Sequence, residues 1–193
     1  MTRVYFVRHA QPNFNNHDDL TRELTEQGRR DRKLVTAFLK VKEIGAVFSS
    51  PYKRAVDTIK EFADAQGMEI ELVSDFRERK VGDLWIENFD SFCKRQWDDF
   101  DYKLPAGESL REVQERNIRA LNRIVERYLD GNIVIGTHGT ALSTIIRYFD
   151  SSFGYNEFNQ IKNLMPWIVM ISFDHNACTE IKKYNLFERY KIK

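Results

Sequence analysis

Apolar, β-prone runs recur along the chain and predict strands, with helical patterns between them. The first run, residues 4–7, is apolar without alternation. This pattern indicates a strand that is buried on both faces of a parallel sheet. Residues 45–49 and 132–137 predict two further strands, and residues 69–73 alternate in the manner of a short strand.

Capping residues and apolar positions at helical spacing predict the intervening helices. Thr25 is the predicted N-cap of the first helix. Ser50 is predicted to cap the second, with Pro51 at its first position, because proline is favoured there. Ser109 and the glutamate three residues later form a capping box before a long helix. A further helix is expected at about residues 141–148.

The order of these elements predicts an α/β fold, since strands alternate with helices. Residues 166–174 and 177–184 are β-rich and are expected to close the sheet as an antiparallel pair. We expect a three-layer α/β/α sandwich with a mostly parallel central sheet and the last strand antiparallel. Residues at about 83–104 predict a small helical insertion that acts as a lid, with a helix near 88–97. Residues 1–193 are expected to form a single domain.

Composition and charge exclude several classes of function. The 193 residues include 30 Lys+Arg and 29 Asp+Glu, a formal net charge of +1. This balance gives no electrostatic footprint for nucleic acid or for a membrane surface. No apolar run approaches the roughly 20 residues that span a bilayer. Without a signal peptide or a disulfide framework, a cytoplasmic location is expected, with Cys93 and Cys178 as small apolar fillers.

Candidate chemistry lies where the predicted strands end. Arg8 and His9 follow the first strand, and His138 follows a later one. Arg54 lies in the first turn of the helix after the second strand, and Glu78 lies after the third strand. Because ligands bind beyond the carboxyl ends of the strands in open α/β sheets, we expect these residues to meet at one edge.

These residue types suit phosphoryl transfer through a phosphorylated histidine. His9 is a nucleophile only when its ring is neutral, and nearby arginine charges lower the pKa of the ring. Arg8, Arg54 and His138 would stabilise charge on the phosphoryl oxygens. Glu78 would protonate the leaving group if burial or neighbouring anions hold it protonated. The chemistry requires no metal and no cofactor.

Each candidate also has an ordinary structural explanation. His9 could be a histidine at the edge of the core, and Arg54 could be an exposed helix residue that pairs with Asp57. Glu78 could belong to a solvated charged turn, and His138 could cap the following helix. The ordered set of residues at strand ends favours the functional interpretation.

Short motifs extend this set, and they occur in a fixed order: Arg8-His9-Ala10, Leu24-Thr25-Glu26-Gln27-Gly28, Ser49 to Thr58, Phe76-Arg77-Glu78 with Gly82, Pro105 to Ser109, and Thr137-His138-Gly139. This series resembles the motifs of the histidine phosphatase superfamily, in its phosphoglycerate-mutase-like branch. The resemblance implies that His9 carries the phosphoryl group and that Glu78 is the acid. It also implies a set of residues that bind the phosphate: Arg8, Asn15, Arg54, His138 and Gly139. Ala10 departs from the family, which usually has glycine there.

The expected function is hydrolysis of a small phosphomonoester, so the expected partner is a small phosphorylated metabolite. A mutase is the alternative, although the resemblance associates mutases with a longer insertion and a longer C-terminal tail than this chain has. A third possibility is a non-catalytic module that binds phosphorylated ligands, but binding alone needs neither His9 nor Glu78. Three aromatic residues of the insertion suggest either an organic leaving group or simple packing: Trp85, Phe89 and Trp97. The sequence predicts no oligomeric state.

Overall fold

A mixed β-sheet of six strands forms the centre of the molecule. The computed structural model describes residues 1–83 and 86–188. Along the chain the strands are β1 (Thr2–Arg8), β2 (Ile44–Ser49), β3 (Ile70–Leu72), β4 (Gly131–Thr137), β5 (Trp167–Asp174) and β6 (Ala177–Tyr184). Across the sheet their order is β3-β2-β4-β1-β5-β6.

The strand directions place several carboxyl ends at one edge. β1 and β4 are parallel, β4 and β2 are parallel, and β2 and β3 are parallel. β5 runs antiparallel to β1, and β6 antiparallel to β5. The predicted sheet is therefore confirmed, including the antiparallel pair that closes it. In register, Arg8 lies beside Thr137, and Ser49 lies beside Gly136, so the chain leaves β1, β2 and β4 at neighbouring points.

Helices cover both faces of the sheet. They are α1 (Glu26–Leu39), α2 (Lys53–Gln66), α3 (Phe89–Asp98), α4 (Leu110–Arg127), α5 (Gly139–Phe149) and α6 (Tyr155–Ile161). Alternate residues of β1 enter separate apolar clusters, with Val4 and Phe6 in one and Tyr5 and Val7 in the other. This pattern confirms that β1 is buried on both faces. Within the described ranges, no helix is long and apolar enough to cross a membrane.

The predicted caps have different outcomes. The Thr25 side chain accepts the N–H of Gly28, and Ser109 forms a capping box, so both predictions are confirmed. The prediction for Ser50 is wrong, because α2 begins at Lys53 and Ser50 precedes it by three positions. The Ser50 hydroxyl is occupied elsewhere: it accepts the N–H of Tyr52 and contacts the ring of His138, the residue after β4.

The insertion contains α3, within one residue of the predicted helix, but sequence reasoning missed α6. The two helices pack together, and the Trp97 ring centroid lies 5.6 Å from that of Phe158. Asp90 of α3 also pairs with Lys162 at 3.1 Å, just after α6. Packing therefore explains Trp97, whereas Trp85 lies outside the described residues. The lid role of the insertion and the single-domain boundary stay predictions.

Candidate active site

His9 and His138 meet at the edge where β1 and β4 end. Their ring centroids are 5.3 Å apart, and the two planes are inclined by 62°. The backbone N–H of His9 donates to the Thr137 carbonyl at 3.1 Å, which extends the β1–β4 pairing to the first histidine. His9 is 6% exposed and His138 is fully buried. Parallel pairing thus brings together two rings that are 129 positions apart in the sequence.

The ring of His9 is fixed through one nitrogen. Nδ1 lies 2.8 Å from the carbonyl oxygen of Ala10. A carbonyl can only accept, so Nδ1 carries the proton and Nε2 keeps its lone pair. Thr58 Oγ1 accepts the N–H of Ala10 at 2.9 Å and donates to the Arg54 carbonyl at 2.7 Å. Ala10 does not have a positive φ, so alanine is tolerated where the family usually has glycine.

His138 is fixed through its other nitrogen. Nε2 lies 2.7 Å from the hydroxyl of Ser50, and Nδ1 is buried without a hydrogen-bond partner among the described residues. The Tyr52 ring packs against the imidazole in a T-shaped arrangement, with centroids 5.2 Å apart. The His138 side chain makes no capping bond to α5, so a helix-capping role does not explain it.

Both imidazoles are held in the neutral form. Burial, followed by the charges of Arg54 and Arg8, lowers the pKa of His9 well below its usual range. Burial also lowers the pKa of His138 well below its usual range, with Arg54 and the His9 ring adding to the effect. The sequence pointed to the arginine charges, but loss of hydration is the larger cause.

Arg8 is buried, and backbone carbonyls at the end of α6 hold its guanidinium. Its Nη1 donates to the Ile161 carbonyl at 2.6 Å, and its Nη2 donates to the Lys162 carbonyl at 2.8 Å. Burial lowers the pKa of Arg8 to about 10, with Glu78 acting in the opposite direction, so the guanidinium stays charged at neutral pH. A Cβ on Gly139 would lie 2.9 Å from Arg8 Nη2. Glycine at this position therefore makes room for the guanidinium.

Arg54 is also buried, at 2% exposure. Its Nη1 donates to the Asp19 carbonyl at 2.7 Å, and its Nη2 lies 3.1 Å from the Asp19 carboxylate. The guanidinium carbon lies 4.9 Å from the centroid of the Tyr52 ring. The alternative of an exposed residue paired with Asp57 is wrong, since Asp57 pairs with Lys53 at 2.8 Å.

Glu78 lies at the N-terminus of α5. Its Oε2 accepts the N–H of Thr140 at 3.0 Å, and its Oε1 accepts those of Ala141 at 3.1 Å and Arg79 at 2.8 Å. A helix N-terminus favours a negative charge. Glu78 is half-buried, and it exerts charge effects on Arg8 and Arg54. In the described part of the chain, the hydrogen-bond partners of Glu78 are therefore backbone N–H groups, and these contacts do not support the expectation of neighbouring anions.

The main chain that carries Glu78 is held by a buried arginine of α4. Arg116 Nη1 donates to the carbonyls of Asp75 and Arg77 at 2.5 and 2.9 Å, and Nη2 donates to that of Glu78 at 3.2 Å. Glu108 accepts from Arg116 Nε at 2.8 Å. This network fixes the main chain at Glu78 to the buried side of α4. The alternative of a solvated charged turn is therefore wrong.

The geometry agrees with the comparison of the whole chain with protein families. The sequence profile of the histidine phosphatase superfamily (branch 1) matches residues 4–186. The chain belongs to the histidine phosphatase superfamily.

Relatives of this histidine phosphatase have names from two reaction classes. A protein of Hydrogenobacter thermophilus named "Putative phosphoserine phosphatase 2" is 30% identical over 159 residues, covering 76% of this chain and 77% of its own. "Phosphoglycerate mutase-like protein 4" of Arabidopsis thaliana is 30% identical over 162 residues, covering 74% and 68%. The structure of a phosphoserine phosphatase from Entamoeba histolytica, in complex with 3-phosphoglyceric acid, superposes with a TM-score of 0.76. It is 19% identical and covers 96% of this chain and 99% of its own, so it shows a shared fold.

Asn15 stands apart from the other predicted binding residues of this histidine phosphatase. It is exposed, and its N–H donates to the side chain of Asn13 at 3.1 Å. Within the described residues, no hydrogen bond or ion pair links Asn15 to the pocket. Five predicted residues do lie together: Arg8, His9, Arg54, Glu78 and His138. Their roles in catalysis, and that of Gly139 in binding phosphate, stay predictions.

Sequence reasoning missed four residues that shape the site. Ser50 and Thr58 lie in the motif that identified Arg54, and a search for hydroxyls at fixed spacing from that arginine could have found them. Asp19 and Arg116 gave no comparable signal. Their contacts with Arg54 and Glu78 depend on loop and helix placement across 35 and 38 positions of the chain.

Proposed function

We propose that this member of the histidine phosphatase superfamily hydrolyses a small phosphomonoester through a phosphohistidine on His9. The orientation of the His9 ring carries the proposal. Its Nδ1 is fixed to the Ala10 carbonyl, while Nε2 has no hydrogen-bond partner among the described residues. A neutral ring with an unoccupied lone pair is the form in which imidazole is a nucleophile.

In the first step His9 Nε2 attacks phosphorus, and the bond between phosphorus and the ester oxygen breaks. The lowered pKa of His9 keeps the attacking nitrogen unprotonated at neutral pH. Arg8, Arg54 and His138 lie close to the His9 ring and would stabilise the charge on the phosphoryl oxygens. Fixed donors and cations in a buried site stabilise a transition state because they need no reorganisation.

Glu78 transfers a proton in both steps. Its two carboxyl oxygens accept hydrogen bonds from three backbone N–H groups. A monoanionic phosphomonoester brings in the proton that Glu78 passes to the leaving oxygen. The carboxylate that remains then accepts a proton from the attacking water, the bond between Nε2 and phosphorus breaks, and inorganic phosphate leaves. One carboxyl therefore serves as acid and then as base.

The names of the relatives support a small phosphorylated metabolite as the substrate class. One solved relative is a phosphoserine phosphatase in complex with 3-phosphoglyceric acid. A second candidate function is mutase-type phosphoryl transfer, which the relative named as mutase-like favours. The resemblance associates mutases with a longer insertion after the acid motif than this chain has, which supports hydrolysis over transfer.

One assay separates these functions. Release of inorganic phosphate from p-nitrophenyl phosphate and from a panel of phosphorylated metabolites is measured, alongside isomerisation of 3-phosphoglycerate with a bisphosphate primer. We expect phosphate release without isomerisation, and its loss in His9→Ala. His175→Asn, in an exposed loop, is the control and should keep activity. Turnover that survives His9→Ala would contradict the mechanism, and primer-dependent isomerisation would establish the mutase.

A further inference from the structure

Ser50 has no role in the reaction as described so far, yet it contacts the active site directly. It is fully buried immediately after β2. Its Oγ lies 2.7 Å from Nε2 of His138 and accepts the N–H of Tyr52 at 3.2 Å. We propose that Ser50 is a positioning residue that donates to His138 Nε2 and thereby places the ring proton on Nδ1. The proposal rests on the phosphoryl-transfer function, in which His138 contacts the substrate.

Hydrogen-bond accounting assigns the direction of this bond. A serine hydroxyl has one proton to donate, and a neutral imidazole has one N–H and one acceptor nitrogen. If His138 Nε2 donated to Ser50, the buried hydroxyl proton would have no acceptor among the described residues. Nδ1 would then be an acceptor without a donor. If Ser50 donates, only the N–H at Nδ1 lacks a partner.

The remaining unpaired group is of the kind that a phosphoryl group requires. Once Glu78 has taken the proton of the monoanionic ester, the phosphoryl oxygens are acceptors only, so a ring that binds them must present N–H. A buried donor without a partner costs about 1–3 kcal/mol, and such a group calls for an explanation. A phosphoryl oxygen that binds to His138 Nδ1 would satisfy that donor. The ring centroid of His138 lies 5.3 Å from that of His9, the proposed nucleophile.

The neutrality of Ser50 matters as much as its hydroxyl. The groups that act on His138 are the Tyr52 and His9 rings and the charges of Arg54, Arg8 and Arg116. A carboxylate in place of Ser50 would favour the imidazolium, which carries a proton on both nitrogens. A hydroxyl instead fixes a single tautomer without adding charge. The ring can therefore donate to the substrate while remaining neutral.

Kinetics of three variants test the effect on catalysis. Ser50→Ala should lower kcat for p-nitrophenyl phosphate by about tenfold to a hundredfold, less than removal of a direct donor costs. Ser50→Thr keeps the hydroxyl and should recover most of this loss. Ser49→Ala is the matched control, because Ser49 is equally buried and its hydroxyl has no hydrogen-bond partner in the described structure. It should stay within about twofold of the parent, since it removes no paired group. Equal losses in Ser50→Ala and Ser49→Ala would overturn the proposal.

Nitrogen-15 NMR of the histidine rings tests the tautomer without reference to activity. In the parent protein at neutral pH, His138 should show a protonated Nδ1 and an unprotonated Nε2, with the signal assigned by its loss in His138→Asn. A protonated Nε2 would overturn the proposal even if the enzyme is a phosphatase. Conversely, the expected tautomer in a protein that releases no phosphate would support the role of Ser50 in orienting His138 while refuting the proposed hydrolysis. Because the parent protein suffices, a Ser50 variant that fails to fold leaves the test intact.

Discussion

The ends of β1 and β4 present the same side chain in two different ways. After β1, His9 is tied through Nδ1 to a carbonyl, and its Nε2 lone pair has no partner among residues 1–83 and 86–188. After β4, His138 is tied through Nε2 to the Ser50 hydroxyl, and in the described part of the chain its Nδ1 has no partner. Both rings are buried beside the same cations, and the pKa of each lies well below its usual range.

The two rings differ in the atom that forms their hydrogen bond, a carbonyl oxygen for His9 and a hydroxyl oxygen for His138. Both are buried beside Arg54 and Arg8, so burial and these charges do not distinguish them. A carbonyl oxygen can only accept, so it leaves the opposite nitrogen as a nucleophile. A hydroxyl can donate, so it can leave the opposite nitrogen as an N–H group. Two histidines in one electrostatic environment can therefore serve as nucleophile and hydrogen-bond donor.

Asparagine substitutions at the two positions give the largest expected contrast. An asparagine amide nitrogen can occupy the place of Nδ1, but asparagine has no counterpart of Nε2. His9→Asn should therefore lower kcat by more than about 10⁴-fold, because the nucleophile is lost. His138→Asn keeps a donor at the Nδ1 position and should lose only about tenfold to a hundredfold. Steady-state hydrolysis of p-nitrophenyl phosphate measures both values.

Acid-quench labelling sharpens this contrast. With a ³²P-labelled phosphomonoester, His138→Asn should still form an acid-labile phosphoenzyme, whereas His9→Asn should form none. Similar losses in the two variants would contradict the assignment of different roles. If His9→Asn were still labelled, the nucleophile would have to be another residue.

Arg54 acts on both strand ends, so its replacement should weaken what they share. Arg54→Lys retains the charge but loses the planar fork that contacts Asp19 through two nitrogens. We expect kcat/KM to fall on the order of 10²-fold, about 3 kcal/mol, as for loss of one preorganised contact. Arg30→Lys, at an exposed position of α1 that pairs with Glu26, is the control and should have full activity. A full-activity Arg54→Lys enzyme would show that charge alone suffices at this position.

The fold was largely predictable because it depends on local patterns. Residues 4–7 and 133–135 are apolar without alternation, and such runs indicate buried strands whatever lies beside them. The start of α2 was misplaced because Ser50 and Pro51 form a strong local signal. The Ser50 hydroxyl instead bonds to the ring of His138, the residue after β4. A long-range contact overrode a local preference there.

The site was predictable in its charged and imidazole members and not in its supporting contacts. Strand topology alone brings Arg8, His9 and His138 to one edge. Asp19 contacts Arg54 through its carbonyl and carboxylate oxygens, and this contact depends on how the loop that carries Asp19 packs. Arg116 donates to the Glu78 carbonyl, and this contact depends on the placement of α4. Hydrogen-bond direction at Ser50 likewise depends on which donors surround it. Residue type and order therefore predicted the chemistry, but the tautomers required the structure.

The two strand ends touch at Gly139, and an added methyl group there should disturb their alignment. A Cβ would lie 2.9 Å from Arg8 Nη2, and the backbone carbonyls of Ile161 and Lys162 already hold this guanidinium in place. Gly139→Ala should therefore displace Arg8 and lower kcat/KM by about tenfold, with about 1–3 kcal/mol of lost stability from overpacking. Gly45→Ala is a matched control, because its nearest neighbour would be 3.8 Å away. An unaltered Gly139→Ala enzyme would show that Arg8 can move without consequence.

The pH dependence of stability tests the property that the two histidines share. Their folded-state pKa values lie below the unfolded value of about 6.5, so below that pH the unfolded chain binds protons that the folded chain does not. The histidine contribution is complete above about pH 6.5 and is lost as pH falls from there towards the folded pKa values. Each ring contributes at most about 1.4 kcal/mol per pH unit to the slope.

Urea denaturation of the asparagine variants between about pH 5 and 6.5 measures this slope, in a range above the usual carboxyl pKa values. His9→Asn and His138→Asn should each have a shallower decline in unfolding free energy than the parent, by the contribution of one ring. Ser49→Ala, a buried substitution that removes no ionisable group, should keep the parent slope whatever its overall stability. If either asparagine variant keeps the parent slope, that histidine is not held neutral by the fold. The tautomer argument would then fail for that ring, because an imidazolium has no free lone pair and no choice of tautomer.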